Sequence, residues 1–284
     1  IMAFKELYAH ETVTTSKGKQ QVAPIWLTAK NRPTYSQGFA MLPGEKPPQG
    51  VYNLWTGHGI EQSLEATVLQ ARPALWHIKY VICGGEQASY RYCLGWLAHA
   101  VQNPGKQAEV AFVMLGGRGA GKGTLGGWFI GLFGSHGTHI QNSEHLTGRF
   151  NSHLKSTVAL FVDEAFFVGD RAAHNVLKGL ITENRIMVEP KNVNAYPAKN
   201  RLKIIMATNE AHAIPAGTDE RRYFITHVSD RVKQNHKYFA ELNEWWQDGG
   251  DRAFFTLLKR IALSEFNIRK VPETAALGQQ KIES

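Results

Sequence analysis

The stretch Val110-Ala-Phe-Val-Met-Leu-Gly-Gly-Arg-Gly-Ala-Gly-Lys-Gly-Thr124 decides how the chain is read. Val110–Leu115 is an unbroken apolar run, too short for a typical helix and closed by Gly116-Gly117, which predicts a strand buried on both faces. Gly116, Gly117, Arg118, Gly119, Ala120, Gly121 and Lys122 then fit G-x-x-x-x-G-K, between that strand and a helical pattern over Leu125–Leu132. Glycines let the backbone curl so that several N–H groups face phosphate oxygens; the helix N-terminus adds partial positive charge, and Lys122 neutralises what remains. A glycine-rich turn with a solvated lysine is the plainer explanation, but strand, loop, lysine and helix all coincide here.

The loop departs from its common form at Gly123, which stands where Ser or Thr usually offers a hydroxyl to Mg²⁺. Thr124 follows and is the candidate metal ligand. The form G-K-G-T also occurs in nucleoside monophosphate kinases, so the loop alone leaves two classes open. Gly126, Gly127 and Gly131 each cost about 1 kcal/mol in a helix interior relative to Ala, so close packing against a neighbouring backbone is expected.

Working outward, two more buried-strand runs follow, Val158–Val162 and Leu202–Ala207, separated by a helical pattern over Ala172–Ile181 with Asp170 as its N-cap. Upstream, Tyr90, Cys93, Leu94, Leu97, Ala100 and Val101 recur at helical spacing until Asn103-Pro104-Gly105 stops the helix. A last strand over Tyr223–Val228 leads to helical segments near Lys237–Trp246 and Arg252–Leu263. Alternating strands and helices predict an α/β fold with a central parallel sheet. Residues 1–85 read as an irregular accessory region, with short strands or buried segments at Val51–Trp55 and Leu75–Ile82. Residues 86–105 read as a linking helix, 106–232 as the core, and 233–284 as C-terminal helices and tail.

The second strand ends in Asp163-Glu164, where a strand's carboxyl end delivers side chains to a nucleotide. Asp163 suits a Mg²⁺ ligand and Glu164 a base for the attacking water. An exposed acid pair at a strand end is the bland alternative. The third strand ends in Thr208-Asn209; if this strand lies between the other two, Asn209 reaches the γ-phosphate or the water. Asp219-Glu220-Arg221-Arg222 opens the last strand, so one arginine can reach a neighbouring subunit's γ-phosphate, unless both form local ion pairs.

The 284 residues are 43% hydrophobic and 20% charged, which excludes global disorder. No apolar run approaches the roughly 18 residues of a membrane span, and the N-terminus lacks the pattern of a signal peptide. Cys83 and Cys93 make neither a disulfide framework nor a zinc site. A soluble protein without a membrane partner, in the cytoplasm, is expected, and the initial Ile suggests a piece of a longer polypeptide. The formal charge of +8 favours a polyanion. Arg185, Lys191, Lys199, Arg201 and Lys203 oppose only Glu189 between residues 185 and 203, a net +4. Strand-like pieces flank Pro190-Lys191-Asn192 there, predicting a basic hairpin in which Lys191 and Lys199 meet phosphates and Tyr196 stacks on bases. A solvated basic loop is the alternative.

Taken together, the GGRGAGKG loop at Gly116, VALFVDEA, the EPK of Glu189–Lys191, IIMATN ending at Asn209, and DERRYF at Asp219–Phe224 resemble a superfamily 3 helicase domain, an AAA+ variant with a P-loop. They are most similar to the helicase portion of phage and plasmid primase-helicases and primase-polymerases. YNLW, WLAHAVQNPGK, HLTGRFNSHL and LKGLITE look like further segments of that family, extending the resemblance over about residues 51–255. The resemblance implies ATP and Mg²⁺ as cofactors and a homo-oligomeric, hexameric ring on single-stranded DNA. It also implies a primase-polymerase module on the same longer chain and, for a phage-encoded protein, the host cytoplasm. It makes Lys122 the phosphate lysine, Asp163 and Glu164 the second-motif acids, Asn209 the sensor, Arg221 or Arg222 the finger, and Lys191 the channel contact. A monophosphate kinase usually carries its loop at the extreme N-terminus, unlike this chain. A DNA clamp or loader without unwinding is the third class.

Overall fold

The computed structural model describes residues 2–141, 146, 148, 151–164, 171–192, 194–209 and 221–273. The chain folds as two units, a smaller one of residues 1–40 and 46–54 and a larger one of residues 41–45 and 55–284. The expected N-cap Asp170, the acids Asp219 and Glu220, and much of the HLTGRFNSHL segment lie outside the described residues.

The larger unit is α/β. Its sheet strands are β1 (Ala111–Leu115), β2 (Gly137–Ile140), β3 (Ala159–Val162), β4 (Lys203–Thr208) and β5 (Tyr223–His227), and all neighbouring pairs are parallel. The order across the sheet is β5-β1-β4-β3-β2. Strand β4 therefore lies between the strand entering the glycine loop and the strand ending in the acid pair, the insertion on which Asn209's expected place depended.

The apolar runs are continuous because both faces of the sheet are covered. One face sends Val113, Leu160, Val162, Ile204 and Ile225 into a core shared with Leu177, Leu180 and Ile181 of helix α3 (Arg171–Thr182). Helix α2 (Lys122–Phe133) lies against β2, β3 and β4. Ahead of β1, helix α1 (Gln87–Gln102) ends near Asn103 as predicted, and buried Trp96 donates its indole N–H to the Val110 carbonyl at 2.9 Å. After β5, α4 (His236–Trp245) and α5 (Asp251–Arg260) follow, with α5 packed on α1.

Two readings change. Leu75–Ile82 is helical: Arg72–Trp76 is an α-helix that widens into a π-type turn over His77–Ile82. Its β-branched residues are buried by tertiary packing, which overrides their local preference. Strand β2 carried no signal in the sequence, being a four-residue edge strand with Gly137 and His139 in it.

The basic hairpin forms, Arg185–Val188 pairing antiparallel with Tyr196–Lys199. Its base is clamped: the Asn200 amide donates to the Leu180 and Glu183 carbonyls at 2.8 and 2.9 Å, pairing acceptors that the end of α3 leaves without helical partners. The predicted concentration of charge is reduced, because Arg201 is 8% and Lys203 0% exposed. Lys203 Nζ donates to the Pro104, Lys106 and Arg201 carbonyls, and burial holds its pKa well below the ordinary lysine value. Both are structural cations of the hairpin base.

The smaller unit has helices Met2–Leu7 and Val22–Thr28 and an antiparallel pair, Thr12–Thr15 with Gly18–Gln21. A two-residue parallel bridge joins Phe39–Ala40 to Tyr52–Asn53.

The helical glycines divide by environment. The expected close approach to a neighbouring backbone is not what these glycines make: a Cβ on Gly126 would come within 2.4 Å of the Phe161 ring, a side chain, whereas one on exposed Gly127 or on Gly131 meets nothing within 4 Å. Gly127→Ala should therefore raise Tm by about 2–4 °C, equivalent to about 1 kcal/mol, and Gly126→Ala should lower it. Thermal unfolding followed by circular dichroism decides, and the reverse ranking would contradict this packing.

Candidate functional site

Because the sheet strands are parallel, β1, β3 and β4 all end at one edge, and the residues following them converge there. Gly116 N–H donates to the Thr208 carbonyl at 3.2 Å, tying the start of the loop to the end of β4. The loop turns through Gly119 and Gly121, whose φ values of +73° and +105° lie in the left-handed region that favours glycine. Lys122, 7% exposed, opens α2 and folds back over the loop. Its ammonium donates to the Gly116 carbonyl, to the Gly117 carbonyl at 2.8 Å and to Asn209 Oδ1 at 2.9 Å. Burial lowers the Lys122 pKa, while the Asp163 carboxylate acts in the opposite direction.

Arg118, Gly119, Ala120, Gly121, Lys122, Gly123 and Thr124 line a cleft of about 440 Å³ together with Asp163, Glu164 and Asn209. The loop lysine, both acids, the asparagine and the candidate hydroxyl are thus brought to one place. Glu164 has φ +54°, an uncommon backbone for a residue with a Cβ, at a cost of about 1–3 kcal/mol. Its N–H donates to Asp163 Oδ1 at 3.0 Å, and its carboxylate lies 3.4 Å from the Arg118 guanidinium. That ion pair is exposed on both sides and contributes little stability.

A third wall of the cleft is unmarked in the sequence. Gln234, His236 and Phe239 line the same cleft, and the Gln234 N–H donates to the Gly119 carbonyl at 3.2 Å. His77 is unmarked too, and its ring packs where a Cβ on Gly121 would collide, 2.6 Å from its Cε1. His77 Nε2 is 3.2 Å from the Gly121 carbonyl and Nδ1 2.9 Å from the Tyr238 hydroxyl. A carbonyl only accepts, so Nε2 carries the proton and Nδ1 accepts from Tyr238. Burial lowers the His77 pKa to about 4, keeping the ring neutral in this bridge between loop and α4. No local spacing marks these residues, since they are joined to the loop only by the fold.

Arg221 and Arg222 are not in this cleft. The Ala111 N–H donates to the Arg222 carbonyl at 2.9 Å, so both arginines sit at the opening ends of β5 and β1. Strand β1 separates them from the loop by roughly 15 Å at about 3.3 Å per residue. They line a separate cleft of about 270 Å³ with Glu109, Thr182 and Arg269.

The hairpin also springs from that opening edge. Lys191 is exposed beside Asn192, whose φ is +62°. Lys199 lies opposite Arg185 in the ladder and 4.0 Å from Glu45. Tyr196 is half-buried, with Lys155 Nζ 5.5 Å from its ring centre, a further cation the sequence did not single out.

Comparison with known proteins adds relatives to this geometry. Residues 114–222 match a family described as "Family of unknown function (DUF5906)". A "DNA Primase-polymerase" of Nitratiruptor phage NrS-1 is 24% identical over 156 residues, 54% of this chain and 20% of the relative. The matched part thus spans one fifth of that relative's length. Over 96% of this chain the fold is similar to "The apo structure of NrS-1 C terminal region (305-718)", with TM-score 0.73, 17% identity and 69% of that chain covered. "The A form apo structure of NrS-1 C terminal region-CTR" gives the same TM-score and coverage at 19% identity. The chain is related to a phage primase-polymerase and shares the fold of its C-terminal region. Among the described residues no helix is long and apolar enough to cross a membrane.

The His77 bridge has a measurable consequence. His77→Leu leaves the Gly121 carbonyl and Tyr238 hydroxyl without their ring partner and should cost roughly 1–3 kcal/mol of unfolding free energy. Tyr238→Phe should cost about 1 kcal/mol. Urea denaturation in which His77→Leu matches the parent would contradict the bridge.

Proposed function

We propose that the chain is an ATP- and Mg²⁺-dependent DNA helicase or translocase domain of superfamily 3 type, built on an AAA+ P-loop core. In this reading it hydrolyses ATP between subunits of a hexameric ring and moves single-stranded DNA during phage or mobile-element replication. One observation carries it. With β4 between β1 and β3, Lys122 lies 2.9 Å from Asn209, and both share a cleft with Asp163 and Glu164.

Phosphoryl transfer needs positioning and charge neutralisation more than covalent chemistry from the protein. The Lys122 ammonium exchanges its carbonyl partners for β- and γ-phosphate oxygens, and the N–H groups of residues 117–122 face the phosphates. Asn209 then orients the γ-phosphate or the attacking water. Water attacks the γ-phosphorus, the bond to the bridging oxygen of ADP breaks, and Glu164 takes the water's proton. Glu164 is released for this when Arg118 turns to the phosphates.

The Thr124 hydroxyl and the Asp163 carboxylate are the hard oxygen donors that would hold Mg²⁺. Such an ion keeps waters and substrate oxygens in its shell and does not need a protein cage. That fits a cleft lined by two such candidate ligands, Thr124 and Asp163. When bound, Mg²⁺ neutralises charge on the phosphates.

The distance of Arg221 and Arg222 from their own loop supports a role in trans, one of them reaching the γ-phosphate held by a neighbouring subunit. Lys191, Tyr196 and Lys199 supply the DNA contact. The relative's name, DNA Primase-polymerase, supports a place in phage DNA replication, a primase-polymerase module on the same longer chain, and a host-cytoplasmic location.

Glu164→Gln should still bind ATP, read with a fluorescent analogue, while releasing phosphate at under about one hundredth of the parent rate. Normal turnover would remove Glu164 as the base. Mixing Arg222→Ala with Lys122→Ala subunits, each inactive alone, should restore hydrolysis, because some interfaces pair an intact loop with an intact arginine. No recovery with either Arg222→Ala or Arg221→Ala would overturn action in trans.

A further inference from the structure

The smaller unit has no place in the proposed ATP chemistry, yet its surface is unusual in charge and in aromatic content. Residues 1–40 and 46–54 contain Lys5, Lys17, Lys19, Lys30, Arg32 and Lys46 against Glu6 and Glu11, a net +4. All but Arg32 are exposed. With the +4 of residues 185–203, this accounts for the whole +8 of the chain. Since Arg201 and Lys203 are buried in the larger unit, the smaller unit presents the larger share of unneutralised surface charge.

Its rings are also exposed. Trp26 is 41%, Tyr35 47%, Phe39 57% and Tyr52 44% accessible. They form two clusters: Tyr35 and Tyr52 meet edge to face at 5.0 Å, and Phe39 is the register partner of Tyr52 in the short bridge. Trp26 has Phe4 at 5.3 Å and the Arg32 guanidinium 5.9 Å from its ring centre. These rings do not fill a core, since among the described residues of this unit only Ala23 is buried.

We propose that the smaller unit is a binding site for single-stranded nucleic acid, in which Trp26, Tyr35 and Tyr52 stack on unpaired bases and Lys30, Arg32 and their neighbours hold phosphates. Aromatic faces offered beside cations match this ligand, because every base has a stacking face and every linkage a negative charge. A duplex hides its base faces and matches only the charge. A second copy of the chain would set +4 against +4, so self-association through this face is opposed by its own electrostatics. The inference stands on the smaller unit alone and does not require the larger unit to hydrolyse ATP.

The test is fluorescence anisotropy on the full chain without nucleotide, using labelled oligothymidylate, oligouridylate and a blunt duplex over a range of salt. Trp26→Leu and Tyr52→Leu should each weaken binding of the single strands by roughly tenfold, with the salt slope unchanged. Trp26→Phe should recover most of the loss, as a stacking role requires and a purely structural one does not. Lys30→Ala with Arg32→Ala should flatten the slope by about 1.4, from about 0.7 per phosphate contact. The difference between the two oligonucleotides tells DNA from RNA. Affinity unchanged in both aromatic variants overturns the proposal, as does a duplex bound as tightly as the single strands. A sedimentation change in Trp26→Leu without a change in affinity also overturns it, in favour of a second copy. Loss on Lys191→Ala with none on Trp26→Leu locates DNA binding at the hairpin and rejects this site. Because nucleotide is absent throughout, a chain that hydrolyses no ATP still reports on it.

Discussion

The bond from the Lys122 ammonium to Asn209 Oδ1 depends on three strands at once. Lys122 follows the loop after β1, Asn209 directly follows β4, and Asp163, whose carboxylate influences the lysine's charge, directly follows β3. Only a parallel sheet with β4 in the middle brings those ends to one edge. The continuous apolar strands, the covered faces of the sheet and the glycine where α2 meets Phe161 all serve that register. A buried cation bonded to two loop carbonyls and one amide oxygen is well held but readily exchanged, since phosphate oxygens are stronger partners for an ammonium. In the proposed reaction the cleft is preorganised around the group that moves first.

The sheet also separates two sets of residues. Its carboxyl edge carries the loop, the acids and Asn209, while its opening edge carries the hairpin base and the two arginines. Strand β4 joins the edges, running from buried Lys203 beneath the hairpin to Asn209 in the cleft. In the proposed ring, one subunit's opening edge meets the neighbour's nucleotide, so each β4 would connect a DNA-contacting element to a phosphate-sensing one through a short, fully buried strand.

Much of this was legible in the sequence where burial is complete. Val110–Leu115, Val158–Val162 and Leu202–Ala207 read as strands because burial on both faces leaves no polar position to confuse the pattern, and the observed strands fall within a residue of them. Strand β2 was invisible because an edge strand of Gly, Thr, His and Ile carries no such run. His77 was hidden in a segment rich in β-branched residues that suggested a strand. Gln234, His236 and Phe239 lie more than a hundred residues beyond the loop they face, and no spacing rule connects them. Arg201 and Lys203 show the limit of counting charge: the backbone carbonyls that draw their side chains inward belong to the fold.

In the proposed ring this cleft is one half of a shared ATP site, completed by the opening edge of another copy. Particle images of the full chain with and without a slowly hydrolysed ATP analogue decide whether it is. Closed rings are expected with the analogue, each nucleotide lying between Lys122 of one subunit and Arg221 or Arg222 of the next. Single subunits whose cleft takes up nucleotide without assembling, or rings whose arginines face away from it, would contradict it.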